Sequence, residues 1–226
     1  MRRYRFVMII TFILTCPSVF PQTSPDGMSQ SALQNYRIGR DLEAQSRMEE
    51  AEGYYTEAVL ICMDEISRNA ATMDTYTALT WTLRRQRKFS EVISWGERAL
   101  QINANEYRVI ETMGEAYFYL NDYARSLNFM QRYVNSAPNG EQTPMAYFFI
   151  GEIFRLQRKF RHADIAYTTA LQLAPGVSLW WYRLGLVREA SGDYVPAIQA
   201  YEQALRLNPD YPEASQGLER IRRLST

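Results

Sequence analysis

The stretch SLWWYRLGLVREASGDYVPAIQAYEQALRLNPDY, from Ser178 to Tyr211, decides the fold. It places Leu184-Gly185, Gly192-Asp193-Tyr194, Ala197, Tyr201, Ala204-Leu205 and Pro209 in one ordered series. Upstream, Ile150-Gly151, Phe160, Ala163, Tyr167, Ala170-Leu171 and Pro175 repeat the series, with Gly151 to Gly185 and Pro175 to Pro209 each 34 residues apart. Further upstream stand Met113-Gly114, Asn121-Asp122-Tyr123, Ser126 and Pro138, but Gly114 to Gly151 and Pro138 to Pro175 span 37. Three extra residues, Glu141-Gln142-Thr143, account for the difference. Gln86-Arg87-Lys88-Phe89 returns as Gln157-Arg158-Lys159-Phe160 at a distance of 71, which is two periods plus the same insertion. A fixed period of this length marks a stacked repeat array.

The physical logic needs no family. Gly185 and Ala197 fall where two helices of one unit cross, and their small side chains let the backbones approach. Trp181 and Tyr201 fill the space beside them, so large packs on small. Prolines at 138, 175 and 209 stop one helix and begin the next turn. No unit hides its apolar face alone, so neighbours must stack into a curved solenoid.

These residues resemble the tetratricopeptide repeat (TPR) family, in which each 34-residue unit is helix A, turn, helix B. The resemblance implies an all-α, right-handed α-solenoid of about five helix-turn-helix units and a C-terminal cap helix. The units are 32–65 with an extension at 66–72, then 73–106, 107–140, 144–177 and 178–211, and the cap is 212–226. Ser178 to Tyr211 matches almost throughout. Unit 73–106 matches less well, because Thr80 replaces the glycine, Val92 the alanine, Gly96 the aromatic and Ala104 the proline. In the first unit Ile38-Gly39, Ala51, Tyr55 and Ala58 hold the register, and the seven extra residues amount to about two helical turns. A register running from Gly39 needs no insertion but matches fewer positions.

Composition narrows the function. Hydrophobic residues make up 46% of the 226, enough for a packed core. With 25 basic and 25 acidic side chains there is no excess of positive charge, which argues against nucleic acid as partner. Lys88 and Lys159 are the only lysines. Arginine suits bidentate carboxylate recognition and stacking on aromatic rings, although genome base composition yields the same bias. Cys16 and Cys62 make neither a disulfide framework nor a zinc site, and Cys62, among Ile61, Met63 and Ile66, reads as a small buried hydrophobe. There is no glycine-rich phosphate loop, HExxH or CxxC, and the lone His162 has no fixed catalytic neighbour. The chain is expected not to be an enzyme and to need no cofactor or metal.

The first residues read as an address. Arg2, Arg3 and Arg5 precede the apolar run Phe6–Thr15, which is too short to span a bilayer and suits a secretory signal over 1–18. Ile13-Leu14-Thr15-Cys16 resembles a lipobox with Cys16 as the acylated residue. Cys16-Pro17-Ser18 equally offers small residues for ordinary cleavage, and an uncleaved anchor is the third alternative. Residues 19–31 read as a flexible linker.

In the family the concave groove is lined by helix A positions 2, 5, 9 and 12. Transferred to this chain, those positions include Arg40, Trp81, Arg84, Arg108, Glu111, Glu115, Phe118, Phe148, Glu152, Arg155 and Tyr182. Exposed aromatics mixed with both signs of charge suit hot-spot binding of another protein, and the same rings could instead complete packing. The family's carboxylate clamp does not carry over, because position 5 holds Thr, Glu, Phe and Tyr. The resulting expectation is a scaffold or assembly factor in the bacterial cell envelope, periplasmic or lipid-anchored, whose partner is an envelope complex component. It touches the membrane only through the signal or a lipid. The alternatives are a ligand-binding accessory of a transporter, with a pocket lined by Phe118, Phe148 and Tyr182, and a regulator of a cell-wall enzyme.

Overall fold

The computed structural model describes residues 31–224. Eleven helices follow one another among these residues: α1 (Ala32–Ala44), α2 (Met48–Ser67), α3 (Met73–Arg85), α4 (Phe89–Ile102), α5 (Tyr107–Tyr119), α6 (Tyr123–Ser136), α7 (Thr143–Leu156), α8 (Phe160–Leu173), α9 (Ser178–Ala190), α10 (Tyr194–Leu207) and α11 (Pro212–Leu224). Odd-numbered helices α1 to α9 are the A helices and α2 to α10 the B helices of five pairs. Each pair packs on the next, and α11 covers α9 and α10. The signal segment, Cys16 and the linker up to Gln30 lie outside the described residues.

The turns inside the pairs share one backbone device. Ser46, Arg87, Asn121, Arg158 and Gly192 all adopt positive φ, between 58° and 81°. The next residue's N–H bonds back to a carbonyl five residues earlier, as in Lys159 to Phe154 at 2.8 Å and Asp193 to Arg188 at 2.9 Å. This closes each A helix in the manner of a Schellman turn. Glycine adopts that conformation freely, whereas other residues lose roughly 1–2 kcal/mol there. Arg158 is exposed. Arg158→Gly is therefore expected to stabilise the fold by about 1 kcal/mol, read as a higher urea midpoint with an unchanged m-value; an unchanged or lower midpoint would count against this account of the turn.

Bulk alternates with its absence at every crossing of a pair. A methyl group at Gly39 would stand 2.6 Å from the Tyr55 ring, one at Gly151 2.6 Å from Tyr167, and one at Gly185 2.6 Å from Tyr201. In the second pair the arrangement is displaced. Thr80 occupies the glycine's place, Gly96 the aromatic's, and Met113 from the following A helix fills the space over Gly96. The long helix α2 has 20 residues against 14 in α4, so the seven-residue extension joins the helix and its closing turn, with Asn69 at φ 54°. Cys62 is wholly buried, its Sγ–H donates to the Thr75 carbonyl at 3.4 Å, and burial pushes the thiol up to about 12. It is an inert packing residue. His162 is exposed, with its ring 5.2 Å from Phe154.

Candidate functional site

Successive A helices touch one another, α1 on α3, α3 on α5 and α5 on α7, and form the inner face of the array. A cavity of about 360 Å³ opens there, over the first three pairs. Tyr36 and Arg40 come from α1, Trp81 and Arg84 from α3, Tyr107, Arg108 and Glu111 from α5, and Tyr133 and Ala137 from α6 and its end. The fourth wall is Gly140, Glu141 and Gln142, the loop that contains the three-residue insertion.

Aromatic rings line two sides. Tyr36 and Trp81 lie 5.4 Å apart, and Tyr107 and Tyr133 lie 6.4 Å apart. Tyr133 stands where the other four pairs carry alanine: Ala58, Ala99, Ala170 and Ala204. Its ring reaches under the inserted loop, and a side chain at Gly140 would collide with its hydroxyl. The Thr143 hydroxyl donates to the Ala137 carbonyl at 2.8 Å, pinning both ends of that loop.

The floor is charged. Arg84 pairs with Glu115, and its Nη1 lies 3.9 Å from Glu111. Burial works against the Arg84 charge, but Glu115 and Glu111 outweigh it and hold its pKa above the ordinary value. Glu111 is 3% exposed, and burial pushes its carboxyl up to about 7 although Arg84 opposes the shift. Arg108 bridges Glu106 at 2.7 Å and Asp74 at 2.9 Å, tying α5 to α3, and Arg40 pairs with Asp41 at 3.1 Å.

The expected site residues divide into two groups. Arg40, Trp81, Arg84, Arg108 and Glu111 line one cavity, with Glu115 immediately behind it. The others do not join them, which corrects the expectation of exposed aromatics in one concavity. Phe118 packs edge-on against Phe149 at 5.0 Å, and Phe148 stacks on Trp180 at 5.2 Å. Tyr182 lies between Tyr201 and Tyr211 at the far end. Glu152 is buried, where it accepts from the Tyr167 hydroxyl, pairs with Arg155 at 2.7 Å and meets Arg183 at 3.0 Å. Neighbouring pairs overlap at these positions, so the rings complete seams between units. Phe118, Phe148 and Tyr182 each pack against a different set of rings, Phe149, Trp180, and Tyr201 with Tyr211 respectively.

Together, the stacked helix pairs and the inner face they form define a helical-repeat solenoid. Three models described as Tetratricopeptide repeat match residues 29–105, 112–140 and 178–211, together more than half of the sequence. The chain belongs to the tetratricopeptide repeat family. The human Protein O-mannosyl-transferase TMTC1 is 24% identical over 179 residues, 79% of this chain, and the chain spans only 20% of that protein's length. Among solved structures, MamA 41-end from Desulfovibrio magneticus RS-1 aligns with TM-score 0.63 and 15% identity, covering 80% of this chain and 97% of that one. YrrB, described as a TPR protein with an unusual peptide-binding site, aligns at 0.57 and 16%, covering 84% and 92%. At these identities the structures show a shared fold. Among the described residues no helix is long and apolar enough to cross a membrane, and no cluster of side chains is arranged for a metal.

Proposed function

We propose that the chain is a protein-interaction scaffold that seats a segment of another protein against the inner face of its first three repeats. The observation that carries this is the cavity itself, in which four aromatic rings and three arginines from three repeats meet one inserted loop. Tyrosine, tryptophan and arginine are the residues in which interface energy concentrates. The name of the YrrB structure, a peptide-binding repeat protein of similar fold, supports the same direction.

A random-peptide display library selected on the full chain tests it. Peptides are expected to emerge that lose roughly thirtyfold in affinity, about 2 kcal/mol, on Trp81→Ala or Tyr107→Ala. Tyr107 is 46% exposed, so its truncation leaves the core untouched, whereas Trp81 is half-buried beside Tyr36 and its variant is compared only after its melting temperature has been matched to the parent. Val195→Ala, on the exposed side of α10, is the control and leaves affinity unchanged. Peptides insensitive to both cavity changes would move the site elsewhere.

We further propose that this scaffold works in the bacterial cell envelope, held there by its exported state or by a lipid on Cys16. Only the basic start and apolar run of the sequence support this. The native protein is expected to lack its first 15 to 18 residues in an intact-mass measurement, and recovery of an unmodified full-length chain from the cytosol would end the proposal.

A further inference from the structure

Every arginine of the cavity already has a carboxylate. Arg40 is spent on Asp41, Arg108 on Glu106 and Asp74, and Arg84 on Glu115. The carboxylates are not all matched in return. Glu111, at the floor and 97% buried by its 3% exposure, has one oxygen with no hydrogen-bond partner. Its other oxygen faces the Thr112 hydroxyl at 3.3 Å, but that hydroxyl's one proton has a nearer acceptor in the Arg108 carbonyl at 2.8 Å. Glu141, on the inserted loop at the rim, is exposed and makes no ion pair among the described residues. The unpartnered Glu111 oxygen meets the Arg84 guanidinium only at 3.9 Å, and Arg84 is shared with Glu115, so the floor holds two carboxylates for one arginine, while Glu141 at the rim adds a further negative charge.

The walls suit the same class of ligand. Tyr36 and Trp81 line one side and Tyr107 and Tyr133 the other, so a cation that enters has aromatic rings on two sides. A desolvated cation over the face of such a ring is attracted by its quadrupole. A buried carboxylate that shares its arginine at 3.9 Å and lacks a hydrogen bond on one oxygen gains from a counter-charge that arrives with its own donors. The buried Nε–H of Arg84 also lacks a partner. It calls for an acceptor beside the cation, which a peptide carbonyl supplies.

Resting on the groove function proposed above, we infer that the cavity receives a basic side chain, arginine or lysine, of the partner's segment, with Glu111 as its counter-charge at the floor and Glu141 at the rim. The arginines of the lining hold the walls in place through their own carboxylates and do not serve as an anion site.

Peptides selected on the full chain, and weakened by Tyr107→Ala, provide the probe. They are expected to share an arginine or lysine. Replacing that residue by norleucine is expected to weaken binding to the parent about tenfold or more, which is about 1.4 kcal/mol. On Glu111→Gln the same replacement is expected to cost little, because the two changes remove one interaction. A Glu141→Gln variant checks the rim without touching the core, and is expected to lower affinity for the basic peptide less than Glu111→Gln does. Circular dichroism and melting confirm that each variant folds. Peptides that depend on Tyr107 but share an acidic residue, or whose basic residue is dispensable, overturn the inference and leave the groove standing. An equal norleucine loss on parent and Glu111→Gln overturns it as well. Selection that yields no Tyr107-dependent peptide removes the groove and this inference together.

Discussion

Gly151→Leu is expected to destabilise the protein by about 3 kcal/mol, the upper end of the usual overpacking cost. A methyl group alone at Gly151 would sit 2.6 Å from two carbons of the Tyr167 ring. That ring has no room to yield. It is wholly buried, its hydroxyl is held by Glu152, and Ala163 and Ala170 pack beside it in the same cluster. Leucine must therefore push α7 from α8. Repeat arrays are held by nearest neighbours, so damage in the fourth pair uncouples the fifth pair and cap from the first three. Hydrogen exchange is expected to quicken first in α7 to α11 while α1 to α4 keep most of their protection. Gly185→Leu meets the same obstacle in Tyr201 but lies near the end, so its damage is expected to stay in α9 to α11. Equal loss of protection along the whole chain in either variant would rule out a linear array. Tyr167→Leu added to Gly151→Leu is expected to restore part of the loss, since the two sites share one volume.

Much of this architecture was legible because the packing rule is local. Glycine on helix A against an aromatic on helix B recurs at a fixed spacing, and a single well-matched unit is enough to set the register of the others. The second pair shows where reading one position at a time falls short. Thr80 and Gly96 each look like a departure, yet together they exchange large for small, and Met113 from the next pair supplies the missing bulk. That compensation crosses a unit boundary and cannot be seen within one repeat. The cavity was half legible. The positions transferred from helix A identify six of its lining residues, Tyr36, Arg40, Trp81, Arg84, Arg108 and Glu111, because they depend only on which side of α1, α3 and α5 faces inward. Tyr107, Tyr133 and the loop at 140–142 were missed, although two signals for them stood in the sequence. Tyr133 breaks the alanine column, and the three inserted residues follow it within one turn and loop. A large ring at a small-residue position needs room, and the lengthened loop provides it. Phe118, Phe148 and Tyr182 were misplaced for the opposite reason. Helix A periodicity says which way a side chain points, but how far the adjacent repeat overlaps it depends on the stacking of the two units. The abundance of arginine over lysine also finds a use in the fold, since Arg125 stacks on Tyr117 at 4.5 Å and Arg98 on Trp95 at 4.6 Å.

Glu111→Gln is expected to raise the stability of the free protein at pH 8 by ~3 kcal/mol at most and at pH 5 by less than ~1 kcal/mol. Burial is the main reason the Glu111 carboxyl is pushed from 4.5 up to about 7; Glu115 adds to it, while Arg84, Arg85 and the Thr112 hydroxyl oppose it. The neighbouring α6 contributes the Tyr133 hydroxyl, which burial keeps protonated above its ordinary range. An acid whose folded pKa lies above its unfolded one binds more protons when folded. Stability from this group is then complete below about 4.5, falls as pH rises, and is gone above about 7. Glutamine keeps the shape and the neutral form at every pH, so the variant escapes that loss. Arg84 is not orphaned by the change, because Glu115 remains its partner. The difference in urea-unfolding free energy between variant and parent, followed from pH 5 to 8, should therefore open through this window and then level off. A difference of constant size would mean that Glu111 is ionised throughout and already neutralised by Arg84, leaving no charge at the floor to attract a basic side chain. One titration series on the unliganded protein thus bears directly on what the cavity is built to hold.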